Sequence, residues 1–160
     1  MIIYFLRHGD AVEDSHAHDS DRPLSEFGQQ QASAAGQFLS KSKSGIEQIF
    51  CSPLLRARQT AEAVQRELGS IPVHSTEQLT SSSEPRNILL ELQKVKEKSV
   101  LLVGHEPHLS STISLLLFGG DRSVVEMRKC SLACVSATPP IGKGGAILQW
   151  LVSSEQTMKK

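Results

Sequence analysis

The sequence predicts an α/β fold: a three-layer αβα sandwich around a mostly parallel sheet. Three observations point there. Residues 2–6 and 99–103 are short, solidly apolar, β-rich runs, as expected of strands buried on both faces of a parallel sheet. Such runs alternate with stretches that carry helix start and stop signals, the pattern that places helices on both faces of one sheet. The chain has 160 residues, 39% of them apolar, enough to bury a core without disulfides or metal.

The elements follow in order. Residues 2–6 form the first strand, and Arg7-His8-Gly9-Asp10 sits at its exit. Residues 14–23 are polar and read as a loop. Ser25 suits the N-cap of a helix running to about Ser40, and residues 41–45 turn the chain. Residues 47–51 make a second strand, and Pro53 opens a helix from Leu54 to Leu68 that Gly69 closes. Residues 72–74 suggest a third strand, and 80–84 a polar loop. Pro85 starts a helix to about Val95. After the strand at 99–103, Pro107 begins a helix to about Phe118. Residues 132–138 and 146–152 read as closing strands joined by a Pro-Pro and glycine-rich turn. We expect one domain over 1–152 and a frayed C-terminal tail over 153–160.

Composition removes several function classes. Seventeen basic residues balance seventeen acidic ones, so no global field draws nucleic acid or an anionic membrane. Any anion recognition must be local. Cys51, Cys130 and Cys134 are an odd set without a Cys-x-x-Cys pair, which disfavours a disulfide framework and a zinc ribbon. No apolar run approaches the ~20 residues a transmembrane helix requires. The expectation is a cytoplasmic protein, acting as a monomer, with free thiols.

In open α/β sheets, ligands bind beyond the carboxyl ends of the strands. Arg7 and His8 follow the first strand, Arg56 lies in the first turn of the helix after the second, and His105 follows the strand at 99–103. Adjacent strands lie about 4.8 Å apart, so these groups can converge on one small anion. Two guanidiniums can hold its oxygens, and a neutral imidazole can attack phosphorus. Taken singly, each is equally an ordinary strand-end or helix-surface residue. Their shared end of the sheet favours a site.

These residues also carry a resemblance. Arg7-His8-Gly9 after an N-terminal strand resembles the signature of the histidine phosphatase (phosphoglycerate mutase-like) superfamily. Arg22-Pro23-Leu24-Ser25-Glu26-Phe27-Gly28 resembles its loop into the first helix. Ser52-Pro53-Leu54-Leu55-Arg56-Ala57-Arg58-Gln59-Thr60-Ala61 resembles its second arginine motif, and Gly104-His105-Glu106-Pro107-His108-Leu109 its second histidine motif. The four matches keep the family order across most of the chain. The short length and the Arg-His-Gly-Asp-Ala opening look most like the SixA-type phosphohistidine phosphatases.

The resemblance implies that His8 is the nucleophile, and that Arg7, Arg56 and His105 hold the phosphoryl oxygens. It implies that Arg22 is a further phosphate or substrate contact. Gly9 would let the backbone pass close to the nucleophile, its carbonyl fixing the His8 tautomer. The reaction would be two in-line displacements, phosphoryl to His8 and then to water, with no cofactor and no metal. The partner would be a phosphohistidine-bearing protein or a small phosphorylated molecule. Many relatives carry a leaving-group acid in a longer insertion after the second helix. Here residues 76–86 are short, and Asp10, Glu77, Glu84 and Glu106 remain open as candidates.

Rival readings rest on thinner patterns. Cys51 and Arg56 have four residues between them, one fewer than a tyrosine-phosphatase loop needs. His16, His18, Asp19 and Asp21 could suggest a metallohydrolase, but a solvated polar loop is the better reading of that spacing. A non-catalytic phosphate-binding module would have to retain all four core residues for no purpose.

Overall fold

The computed structural model describes residues 1–120 and 122–159; Lys160, the last residue of the expected tail, lies outside them. The strands are β1 (Ile2–Arg7), β2 (Gln48–Cys51), β3 (Val73–Ser75), β4 (Ser99–Gly104), β5 (Leu132–Ser136) and β6 (Ile147–Val152). The helices are α1 (Glu26–Lys41), α2 (Leu55–Leu68), α3 (Pro85–Leu92), α4 (His108–Phe118) and α5 (Ser154–Thr157). The six strands form one sheet in the order β3-β2-β4-β1-β5-β6. The first four run parallel, β5 is antiparallel to β1, and β6 is antiparallel to β5.

Alternation along the strands sends their side chains to two cores. Tyr4, Leu6, Ile49 and Leu101 pack on one face with Ala32, Leu39, Ala61 and Val64 of α1 and α2. Ile3, Phe5, Phe50 and Leu102 pack on the other with Ile88, Leu89, Leu109 and Ile113 of α3 and α4. This is the expected three-layer sandwich. Ile3, Phe5, Leu101 and Leu102 are fully buried, each worth about 1.5–3 kcal/mol of apolar transfer.

The element ends differ in instructive ways. Ser25 caps α1 as expected, accepting from the Gly28 N–H at 3.0 Å. Leu54 is the N-cap of α2, so Pro53 stands just outside the helix. Likewise α4 begins at His108, with Pro107 as its N-cap. Helix α3 stops at Leu92, short of Val95. Its last bonds tighten to i−3, with Val95 N donating to Leu92 O at 3.1 Å, and the chain turns back toward β4. The tail is more ordered than expected: Ser153 and Gln156 form a capping box that starts α5, and α5 packs on α1.

Candidate active site

The sheet order builds the site. Strand β1 lies beside β4 with Arg7 opposite Gly104, so His8 and His105 leave the sheet together. Their ring centroids are 5.0 Å apart. On the far side of β4, Ser52 N donates to Val103 O at 2.9 Å. That bond delivers the start of α2, and with it Arg56, to the same edge. Arg7, His8, Arg22, Arg56 and His105 line one cavity of about 300 Å³. Gly9 lies behind His8, its N–H donating to Thr60 Oγ1 at 3.1 Å.

His8 is held as one tautomer. Its Nδ1 sits 2.7 Å from the Gly9 carbonyl. A carbonyl only accepts, so Nδ1 carries the proton and Nε2 keeps a lone pair. The Arg56 Nε–H points at that lone pair from 3.4 Å. Burial lowers the His8 pKa to about 4; the Gly9 bond opposes the shift, and the positive charges of Arg56, Arg7 and Lys129 add to it. Burial, with His8 and Arg56 nearby, lowers His105 to about 3. Both rings are therefore neutral near pH 7. His105 Nε2 lies 2.7 Å from the Ser52 hydroxyl.

The guanidiniums surround the His8 ring. Arg7 Nη1 donates to Met127 O at 3.0 Å, while its Nε is buried and makes no hydrogen bond among the described residues. That Nε–H is a donor left over for an oxygen anion. Arg56 donates from Nη1 to Asp19 O at 2.6 Å and from Nη2 to Asp19 Oδ2 at 3.0 Å. Arg22 Nε donates to Asp19 Oδ1 at 3.0 Å. The geometry offers donors on several sides of a nucleophilic nitrogen, an arrangement suited to a phosphoryl group.

The four acid candidates separate. Asp10 accepts from Ser25 Oγ at 2.7 Å and Lys129 Nζ at 2.6 Å, and those bonds hold its carboxyl below the usual range. Glu77 and Glu84 are exposed and outside the cavity wall; Glu106 forms part of that wall, as does Glu13. Sequence reasoning gave no role to Ser52, Thr60, Glu13 and Lys129, and weighed Asp19 only as part of a metal cluster that it set aside as a polar loop. Thr60 alone carried a readable cue, four residues after Arg56 and so on the same helix face. Its hydroxyl donates to Arg56 O at 2.7 Å. Among the described residues no group of three or more His, Cys, Asp or Glu side chains is placed to hold a metal ion.

The sequence profile of the histidine phosphatase superfamily (branch 1) matches residues 3–82. The chain belongs to the histidine phosphatase superfamily. An uncharacterised protein of Picosynechococcus sp. is 34% identical over 141 residues, 82% of each chain. The phosphohistidine phosphatase SixA of Escherichia coli is 42% identical over 64 residues, 40% of this chain and 39% of that one. The solved structure of the protein histidine phosphatase SixA complexed with tungstate superposes with a TM-score of 0.87 at 26% identity, covering 98% of this chain and 99% of that one. As a histidine phosphatase of this fold, the protein is a phosphatase.

Proposed function

We propose that this phosphatase removes the phosphoryl group from a phosphohistidine side chain of a partner protein. His8 Nε2 attacks phosphorus as the P–N bond to the substrate imidazole breaks, and that imidazole leaves with the bonding pair and takes a proton from solvent. Arg7, Arg56 and His105 hold the equatorial oxygens, and Arg22 stands at the cavity wall as a further contact. Water then attacks the phosphorus of phospho-His8, loses its proton, and releases inorganic phosphate and the free His8 ring.

The observation that carries the substrate class is the scarcity of free acid, Glu13 being the one wall carboxylate for which the described residues show no bond. Asp10 is tied to Ser25 and Lys129, Glu77 and Glu84 are off the cavity, and Glu106 Oε1 accepts from Ser110 N at 3.0 Å. An alkoxide needs a proton in the transition state, and general acids contribute typically ~10²–10⁴-fold. A phosphorylated imidazole leaves far more readily. The likeness to SixA over nearly the whole chain supports the same reading. The three buried free thiols suit work in the reducing cytoplasm.

A second reading, a broad small-molecule phosphomonoesterase, draws on Glu106 and Glu13 at the cavity wall. The test compares kcat/KM for a phosphohistidine protein, an activated aryl phosphate and a sugar phosphate. The expected order is phosphohistidine first, aryl phosphate well behind and sugar phosphate barely detectable. A sugar phosphate as good as the protein, lost selectively in Glu106→Gln or Glu13→Gln, would favour the second reading. Rapid quench with labelled substrate should place acid-labile phosphate on His8, and His8→Ala should lose several orders of magnitude in turnover.

A further inference from the structure

We propose that Asp19 is a positioning residue of the phosphatase reaction, setting the rotation of both Arg56 and Arg22 with one carboxylate and its own carbonyl. The inference rests on the assignment of Arg56 to the phosphoryl oxygens. Asp19 looks unremarkable in sequence, one acid among several in a polar loop. In the fold it begins a short 3-10 turn, Asp19–Asp21, between the exit of β1 and the start of α1. From there it reaches two arginines at once. Oδ1 takes Arg22 through Nε at 3.0 Å and Nη2 at 2.9 Å. Oδ2 takes Arg56 Nη2 at 3.0 Å, and the Asp19 carbonyl takes Nη1 at 2.6 Å.

Which edge of each guanidinium is used decides the consequence. A guanidinium presents an end-on edge, Nη1 with Nη2, and a side-on edge that includes Nε. Asp19 occupies the end-on edge of Arg56. The side-on edge is thereby turned inward, with Nε facing the His8 lone pair at 3.4 Å. At Arg22 the choice is reversed: Asp19 takes the side-on pair, leaving Nη1 free of it on a residue of the cavity wall. Two planar groups that would otherwise rotate are fixed with complementary edges inward.

The burial pattern argues for geometry over stability. The Asp19 side chain is 67% exposed, while that of Arg56 is 7% exposed. Ion pairs with one arm in water contribute little to folding. A buried guanidinium left to choose its own rotation would nonetheless lose its aim at phosphorus, and small misplacements of a binding group cost up to ~10²-fold in rate. Arg56 also holds the Asp19 carboxyl below the usual carboxylate range, so the clamp stays ionised throughout the neutral range.

The test uses the full chain and an aryl phosphate. Asp19→Asn should lower kcat/KM by ~10–100-fold, mostly in kcat, with the melting temperature nearly unchanged. Asp19→Glu, which keeps the charge, should recover part of the loss. Asp21→Asn, two residues on in the same turn, should behave as wild type. In an Arg22→Lys, Arg56→Lys background both guanidinium clamps are gone, so Asp19→Asn should cost less than about 3-fold more. A full-sized loss in that background, or wild-type kinetics for Asp19→Asn, would overturn the proposal. Failure of the underlying assignment reads differently: Arg56→Lys would then itself be close to wild type.

Discussion

At the scale of single residues, the site depends on shape as much as on charge. Arg56 spans acceptors at three of its nitrogens, a geometry that an ammonium does not reproduce. Arg56→Lys should therefore lose ~10²-fold or more in kcat/KM, in line with removal of an oxyanion donor. Arg58 is exposed, and Arg58→Ala should stay near wild type; equal sensitivity at the two positions would mean that the site is misplaced. Ser52→Ala removes the hydroxyl at 2.7 Å from His105 Nε2. A drop of ~10-fold is expected, the scale of one buried hydrogen bond. Arg7, His8, Arg56 and His105 were legible in the sequence because each sits at a fixed offset from a strand end. Ser52 was not, because a serine before proline is a common turn residue. Asp19 was hidden because nothing local shows that a loop acid will fold back onto a helix thirty-seven residues away.

At the scale of elements, the loop that carries His8 is set by a backbone-to-backbone contact. A Cβ on Gly9 would stand 2.7 Å from the Gly28 carbonyl oxygen, and a Cβ on Gly28 would collide with the Asp10 carbonyl. Gly9 is thus required by its neighbour on α1, while the carbonyl that fixes the His8 tautomer is one any residue would supply. Gly28→Ala should push the Arg7–Asp10 exit away from α1 and destabilise the fold by about 1–3 kcal/mol. Urea denaturation would read that cost, and activity should fall with it. Strand positions were readable because continuous apolar runs have few alternatives in a three-layer fold. Helix ends were less so: a proline marks the neighbourhood of a start without saying whether it stands at the cap or inside the first turn. Helix α5 escaped because four residues are too few to show a period, although its Ser-x-x-Gln cap was in plain view.

At the scale of the whole molecule, three buried imidazoles tie stability to acidity. His8, His105 and His108 titrate at about 4, 3 and 4 in the fold, against about 6.5 when unfolded. Above that value both states hold the rings neutral, and the term vanishes. As pH falls below it, the unfolded chain takes up protons that the fold refuses, so stability declines from about pH 6.5 down to about pH 3. The urea midpoint should be lower at pH 5 than at pH 7.5. His108→Leu should relieve part of that loss, since His108 is buried and lies outside the cavity that His8 and His105 line. Activity should survive exhaustive EDTA treatment, because guanidiniums occupy the place where metal charge acts in other phosphatases; loss on chelation with recovery by one divalent ion would favour a metallohydrolase. The sheet order has a consequence for synthesis. Strand β1 precedes both of its partners in the chain by a wide margin, β4 beginning at Ser99 and β5 at Leu132. Until they arrive the growing chain carries an apolar strand with two bare edges, beside the histidine proposed as nucleophile. The nascent chain should therefore be inactive and adhesive until the sheet closes, and both properties should end together when residues 132–136 become available.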